Sequence, residues 1–343
     1  MVSISNTIQN WYKKNKRDLP WRHTSDPYRI WLSEVIMQQT QVVQGTSYYL
    51  KFIKAYPNVK SLAESSQEHV LKNWQGLGYY SRARNLHFAA KQITSDNDGV
   101  FPSTYSEIIK LKGVGEYTAA AIASFAYSEP YAVVDGNVFR VLSRLFAINT
   151  PINSTSGKKE FFKLAQSLLD RKNPGEHNQA MMELGALVCR PKNPDCNNCP
   201  VQFHCEAFEK KSVTDFPVKN KILKVKKRYL NYVLISNGEE ILVNKRTGSG
   251  IWQGLYDFPV VESNKPIFEI AEVDGIGVKG ARFDLELKHI LTHQHLYAKF
   301  WILEQEQMTE FVDYDIISIN NLEDLPLPQL IVRYIGESDF FKR

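Results

Sequence analysis

At 343 residues, with 43% hydrophobic and 23% charged residues, the chain is too long for one ordinary core and too apolar to be disordered, so two globular domains are expected. A formal net charge of +5 and a pI near 8.8 suit a polyanionic partner without establishing one. The longest fully apolar stretches, such as 119–123, fall far short of the roughly 20 residues of a membrane-spanning helix, and the N-terminus lacks the apolar core of a signal peptide, so a cytosolic protein without a membrane partner is expected.

Residues 1–210 read as mostly helical. The segment SDPYRIWLSEVIMQQTQVVQ (25–44) opens with Ser25 and Asp26 as cap candidates and Pro27 in the first turn. Apolar residues at Ile30, Trp31, Val35 and Ile36 give it a helical period. Glu34 stands among them, followed by Gln38, Gln39 and Gln41. A carboxylate in apolar surroundings can have a raised pKa and act as an acid near neutral pH; the plainer alternative is a solvated glutamate on the outer face. Similar helical patterns recur at 61–74, 81–93, 103–111, 116–126, 137–147, 158–170 and 176–187, punctuated by Gly, Pro, Asn and Asp.

Between two of these helices lies LKGVGEYTAAAI (111–122), a helix–hairpin–helix pattern near 105–125. Gly113 and Gly115 allow a tight turn and a close approach of backbone to a ligand. The unpaired amides that open the second helix then face outward, a ready site for an anion such as a phosphate. A plain turn between packed helices is the alternative. Tyr117 sits in the first turn of that helix. Further on, VVDGNVFRVLSR places Asp135 where an apolar run meets a new helix, beside Gly136 and Asn137. Helix capping is the ordinary role of such an aspartate.

All four cysteines, Cys189, Cys196, Cys199 and Cys205, lie in one short loop with C-x6-C-x2-C-x5-C spacing. In a reducing compartment this is a metal site sooner than disulfides or unrelated thiols. Four thiolates can surround one tetrahedral zinc or one cubane iron–sulfur cluster, and spacing alone does not choose. The long, Pro-containing loops between ligands suit a wide cluster better than a compact zinc knuckle.

The character changes near 211. KNKILKVKKR (219–228) holds six basic residues in ten. A basic linker at 214–228 is therefore expected between a first domain, 1–213, and a second, 229–343. The strand-like runs YLNYVLI, EEILVNKR and HLYAKFWIL give the second domain an α+β character.

The order of these features, an acidic helix, a hairpin, a VDGNV aspartate and the cysteine loop, resembles the endonuclease III superfamily of DNA glycosylases. The likeness covers nearly all of residues 1–210. It implies a mostly helical helix–hairpin–helix glycosylase domain, a [4Fe–4S] cluster on the four cysteines, and a base flipped out of duplex DNA into a cleft. In endonuclease III proper the position of Tyr117 is a lysine that attacks the sugar as a Schiff-base nucleophile. A phenol forms no imine, so the resemblance implies a monofunctional enzyme that leaves the strand uncut. LPWR (19–22), SEVIMQQTQV (33–42), GLGYYSRARNL (76–86) and Tyr117 together look like the MutY-type adenine DNA glycosylases.

The second domain fits that family, whose C-terminal domain is similar to Nudix hydrolases and reads 8-oxoguanine. GIWQGLYDFP (250–259) resembles the Nudix lead-in, but VVESNKPIFEIAEVDG (260–275) lacks the glutamate-dense helix that holds Mg²⁺. The domain is expected to bind and not hydrolyse. The family's Phe-Ser-His loop is Leu291-Thr292-His293 here.

The resemblance implies hydrolysis of adenine mispaired with 8-oxoguanine or guanine, by a monomer. Glu34 would protonate adenine N7. Asp135 would stabilise the oxocarbenium ion, supported by Tyr117 and Asn137, as in the two-carboxylate logic of glycosidases. Gln39, Leu77 and Tyr79 match positions that wedge into the base stack, and Trp21, Arg22 and Gln179 match the adenine pocket. Gly113, Val114 and Gly115 would hold phosphate. A bifunctional lyase for oxidised pyrimidines is the runner-up, disfavoured by Tyr117. A Nudix-class hydrolase is disfavoured by the missing glutamate helix. A catalytically dead DNA-binding protein is disfavoured by the presence of both Glu34 and Asp135.

Overall fold

The computed structural model describes residues 3–220 and 225–342; the middle of the expected linker, 221–224, lies outside the described residues. The helices are α1 (Ile4–Asn15), α2 (Pro27–Met37), α3 (Val42–Ala55), α4 (Val59–Glu64), α5 (Gln67–Trp74), α6 (Ser81–Asn97), α7 (Tyr105–Ile108), α8 (Glu116–Tyr127), α9 (Gly136–Leu145), α10 (Thr155–Leu168), α11 (Pro174–Leu187) and α12 (Glu206–Glu209), with α13 (Gln329–Glu337) near the C-terminus. The strands are β1 (Lys226–Ser236), β2 (Glu240–Lys245), β3 (Tyr256–Asp257), β4 (Val260–Ser263), β5 (Glu272–Val273), β6 (Ile276–Gly277), β7 (Arg282–Leu291), β8 (Gln294–Glu304) and β9 (Asp315–Ser318). A helical first part and an α+β second part are thus what the chain forms.

Two compact units emerge, and they do not follow one cut of the chain. One comprises Met1–Ala63 with Phe88–Lys221, the other Glu64–His87 with Ile222–Arg343. In the first, α2 starts where expected: Asp26 accepts from the Tyr28 amide at 2.9 Å, and Pro27 lacks the donor that a first turn leaves unpaired. The helix expected over 25–44 is two helices. Gln39 adopts a left-handed backbone (φ 55°) and separates α2 from α3, with no Gly or Pro to announce the break. The core of this unit packs Ile8 and Tyr12 of α1 against Val138 and Leu142 of α9, Phe161 of α10 and Leu184 of α11.

In the second unit the sheet runs β3-β2-β1-β8-β7, with β4 also on β1 and β9 also on β2. β1 and β8 pair in parallel, Tyr232 opposite Phe300; the other ladders are antiparallel. Both faces of β1 are covered, which is why Leu230–Ser236 is buried throughout. On one face Phe300 stacks on Tyr334 of α13 at 3.9 Å; on the other, Val233 and Ile235 cluster with Val273, Ile276 and Trp301.

Residues 64–87 join this unit through polar contacts at long sequence separation. Glu68 accepts from Lys245 Nζ (2.5 Å) and Tyr256 Oη (3.0 Å), and Arg84 Nη1 donates to the Gln253 carbonyl (2.8 Å). The pattern at 61–74 likewise divides, because Ser66 caps α5 by accepting from the His69 amide at 3.1 Å.

Candidate active site

Glu34 lies on α2 with 8% of its surface exposed. Tyr117, the second residue of α8, donates its phenolic hydrogen to Glu34 Oε2 at 2.6 Å. Loss of water pushes the Glu34 carboxyl up to about 7, with the charge of Asp135 adding to the rise and Tyr117 and Arg22 opposing it. Burial and the same two carboxylates push the Tyr117 phenol far up, so it stays a donor near neutral pH.

Asp135 caps α9. Its Oδ1 accepts from the Val138 amide and its Oδ2 from Asn137 Nδ2, both at 2.7 Å. Burial raises its pKa, against these hydrogen bonds and Arg140. The two carboxyls therefore differ in kind. Glu34 titrates near neutrality; Asp135 sits at a helix N-terminus with donors fixed on its charged form. Glu34, Tyr117 and Asp135 line one cleft with Gln38, Gln39, Gly115 and Gly136, of about 740 Å³. That volume suits a small-molecule-sized group. A proton donor near neutral pH facing a fixed carboxylate can break a glycosidic bond, one protonating the leaving group and one stabilising the cation.

Behind Asp135 runs a relay. Asn137 Oδ1 accepts from Arg140 Nη2 at 2.8 Å. Arg140 also donates to the carbonyls of Gly185 (2.8 Å) and Cys189 (2.7 Å). Gly185 permits this approach, since a Cβ there would lie 2.6 Å from Asn137 Cβ.

A narrower pocket opens beside Glu34, lined by Trp21, Arg22, Phe125, Gln179 and Met182. Arg22 is held by Glu183, Nη1 to Oε1 at 2.9 Å and Nη2 to Oε2 at 2.8 Å. Burial alone would raise Glu183; the Arg17 and Arg22 guanidiniums instead pull it down to about 2.

In the hairpin, Gly113 takes φ 78°, a conformation that favours glycine. Val114 is buried and its amide is bonded to the Leu111 carbonyl at 3.1 Å. Gly115 caps α8 without a side-chain partner, which leaves the first-turn amides of α8 as the outward donors.

In the second unit, Leu77 is buried while Tyr79 is exposed, the latter in a left-handed conformation (φ 47°) between Gly78 and Tyr80. The Tyr79 hydroxyl hydrogen-bonds Thr292 Oγ1. Thr292 and His293 form the exposed two-residue tip of the β7–β8 hairpin, and Leu291 opposes Gln294 at its base. Leu77, Tyr79, Trp252, Leu291, Thr292 and His293 line one cleft.

The four cysteines surround a separate, largely apolar cavity with Arg144, whose Nη1 approaches Cys189 Sγ at 3.4 Å. Among the described residues no set of three ligating side chains is arranged for a single metal ion. Burial pushes the Cys196 and Cys205 thiols up and Cys199 up to about 12. Thiolates here need a compensating positive centre, and an all-sulfur donor set beside a guanidinium fits an iron–sulfur group.

Sequence reading missed Tyr12, Arg17, Arg140 and Glu183. Arg140 and Glu183 carry the mark that singled out Glu34, a charged residue in an apolar helix. Tyr12 and Arg17 carry no such mark.

Residues 32–169 match the family model of HhH-GPD superfamily base excision DNA repair proteins, and 231–337 match that of the NUDIX domain. An adenine DNA glycosylase of Buchnera aphidicola (subsp. Baizongia pistaciae) is 37% identical across 87% of this chain and 85% of its own length. That of Arabidopsis thaliana is 35% identical over 89% of this chain and 54% of its own. The human adenine DNA glycosylase is 42% identical over 61% of this chain and 40% of its own. Among solved structures, a thermostable thymine-DNA glycosylase matches 60% of this chain and 95% of its own at 30% identity and TM-score 0.56. An endonuclease III–DNA complex matches 60% and 94%, at 20% identity and TM-score 0.53, which speaks to the fold alone.

Proposed function

Because the chain belongs to the adenine DNA glycosylases, with a helix–hairpin–helix glycosylase part and a Nudix-like part, we propose that it hydrolyses the N-glycosidic bond of adenine paired with 8-oxoguanine or guanine in duplex DNA and leaves the strand intact. Glu34 protonates the flipped adenine at N7 and turns it into a neutral leaving group. Asp135, ionised and fixed by Asn137, faces the developing oxocarbenium ion. Water completes the exchange. Tyr117 keeps Glu34 in place and contributes no nucleophilic amine.

The observation that carries this reading is the Tyr117–Glu34 hydrogen bond beside Asp135, with Glu34 titrating near neutrality. Trp21, Arg22 and Gln179 receive the base. The first-turn amides of α8, with Gly113 and Gly115 shaping the turn, take a DNA phosphate. Gln39, Leu77 and Tyr79 occupy the stack, and Leu291, Thr292 and His293 meet the opposite base. Cys189, Cys196, Cys199 and Cys205 hold a [4Fe–4S] cluster, which when bound fixes the loop whose backbone carbonyl at Cys189 anchors Arg140.

The test is single-turnover incubation with duplexes carrying adenine opposite 8-oxoguanine, guanine or thymine, with the released base identified and strand integrity read before and after alkali. Adenine release from the first two, with nicking only after alkali, is expected. No adenine release from these duplexes, with direct nicking of a further duplex carrying an oxidised pyrimidine, would favour the lyase reading.

A further inference from the structure

Tyr12 lies on α1, outside every segment that carried the functional reading, and is 3% exposed. Its hydroxyl donates to Gln179 Oε1 at 2.6 Å. Its ring face also lies under the guanidinium of Arg22, with Cζ 5.5 Å from the centroid. One buried phenol thus touches Arg22 and Gln179, two of the polar side chains that border this pocket; Ser33 and Glu34 are others.

The consequence for Gln179 is chemical. An amide whose oxygen is held by a phenolic donor has its orientation set, with its NH₂ as the group left to donate. Arg22 has no acceptor at all, and Glu183 holds it in one orientation. Glu34, when protonated, also donates. Ser33 also borders the pocket, but its hydroxyl hydrogen is spent on the Ile30 carbonyl; Gln179, Arg22 and protonated Glu34 present donors, and what donors recognise on a purine is the lone pair of a ring nitrogen.

We propose that Tyr12 is a specificity-determining positioning residue: it fixes the amide of Gln179 so that the pocket selects its base through a ring-nitrogen lone pair. The inference rests on the proposed adenine excision. Without the Tyr12 hydroxyl, the Gln179 amide can rotate and show its oxygen, and the requirement for that lone pair weakens. A buried group left without its partner usually costs enough to discriminate between close analogues.

The experiment compares single-turnover excision of adenine, 1-deazaadenine and 3-deazaadenine from otherwise identical duplexes by wild type, Tyr12→Phe and Gln179→Ala. Comparison across variants cancels the intrinsic reactivity of each base. In wild type, one of the two deaza bases should be removed about tenfold more slowly than adenine. That ratio should fall towards one in Gln179→Ala and, to a similar degree, in Tyr12→Phe. Ratios do not depend on the folded fraction, so partial unfolding of a variant does not mimic the effect. Equal ratios in wild type and Tyr12→Phe, or no penalty for either deaza base in wild type, would overturn the proposal. Failure of wild type to release adenine would instead remove the reading on which it rests.

Discussion

The phenolic hydrogen of Tyr117 lies on Oε2 of Glu34, 2.6 Å from oxygen to oxygen, across 83 residues of sequence. It opposes the burial that lifts Glu34 to about 7. Activity that needs the protonated form should fall as pH rises through about 7. Tyr117→Phe removes the opposing bond, so the alkaline limb of the single-turnover pH profile should move up. Glu34→Gln should lose at least about 100-fold in excision while retaining DNA binding. An unmoved limb in Tyr117→Phe, or a near wild-type rate in Glu34→Gln, would assign the acid elsewhere.

The same group sets a stability trend. Glu34 is raised from 4.5 to about 7 on folding, so between those values the folded chain keeps a proton that the unfolded chain releases. Stability from this group is whole below the unfolded pKa and is lost as pH rises through about 7. Glu34→Gln does not titrate. Relative to wild type it should gain stability between about pH 5 and pH 8, by on the order of 3 kcal/mol. Melting temperatures of both proteins at the two pH values check the sign.

Arg140 ties Asn137, and through it Asp135, to the Gly185 and Cys189 carbonyls. Arg140→Leu removes that tie and leaves four acceptors short of a donor, the Gly136, Gly185 and Cys189 carbonyls and Asn137 Oδ1. Excision should drop by roughly 10- to 100-fold, the scale of a modest misplacement of a reacting group. Arg140→Lys restores the charge but not the fork geometry and should recover only part. Full activity in Arg140→Leu would show that Asp135 is positioned by its cap alone.

Tyr117→Lys puts an amine where the phenol stands, in the first turn of α8 and inside the cleft shared with Asp135. Such an amine can form an imine with the sugar. Borohydride should then trap a covalent protein–DNA complex that wild type does not give. Persistent glycosylase activity with no trapped complex would mean that the side chain does not reach the sugar.

What could be read from the sequence followed from local rules. Asp135 caps a helix, Pro27 opens one, and the cysteine spacing needs no partner elsewhere in the chain. What could not be read depended on long-range contacts. Gln38-Gln39-Thr40-Gln41 has no Gly or Pro, so only tertiary packing shows that α2 stops at Met37. Residues 64–87 look like part of the helical half, yet Glu68, Arg84 and their partners Lys245, Tyr256 and Gln253 bind them into the second unit. Tyr12 reads as a core aromatic until its hydroxyl is seen on Gln179. Strand β7 was missed as well, because its alternating pattern in RFDLELKHIL exposes more than it buries.

Under the proposed function, the contact between Tyr79 and Thr292 bears on how the opposite base is read. Both belong to the second unit and line one cleft, together with Leu77, Trp252 and His293. The Tyr79 hydroxyl bonds the Thr292 hydroxyl, so the threonine's rotor is set by the tyrosine and its remaining lone pair or proton is aimed. 8-Oxoguanine differs from guanine at N7–H and O8, and only an aimed polar group can tell them apart. Thr292→Ala removes that group outright and should reduce the preference for 8-oxoguanine over guanine by about 1–3 kcal/mol, the worth of a well-placed base contact. Tyr79→Phe keeps the ring but frees the threonine, so it should lose selectivity in the same direction and by less. Thr292→Ser keeps the hydroxyl and should stay near wild type, which separates loss of a hydrogen bond from loss of packing. The measurement is the ratio of single-turnover excision rates for adenine opposite the two bases in all four proteins. If Thr292→Ala keeps the wild-type ratio, Thr292 does not read the lesion, and His293 or the helical unit must.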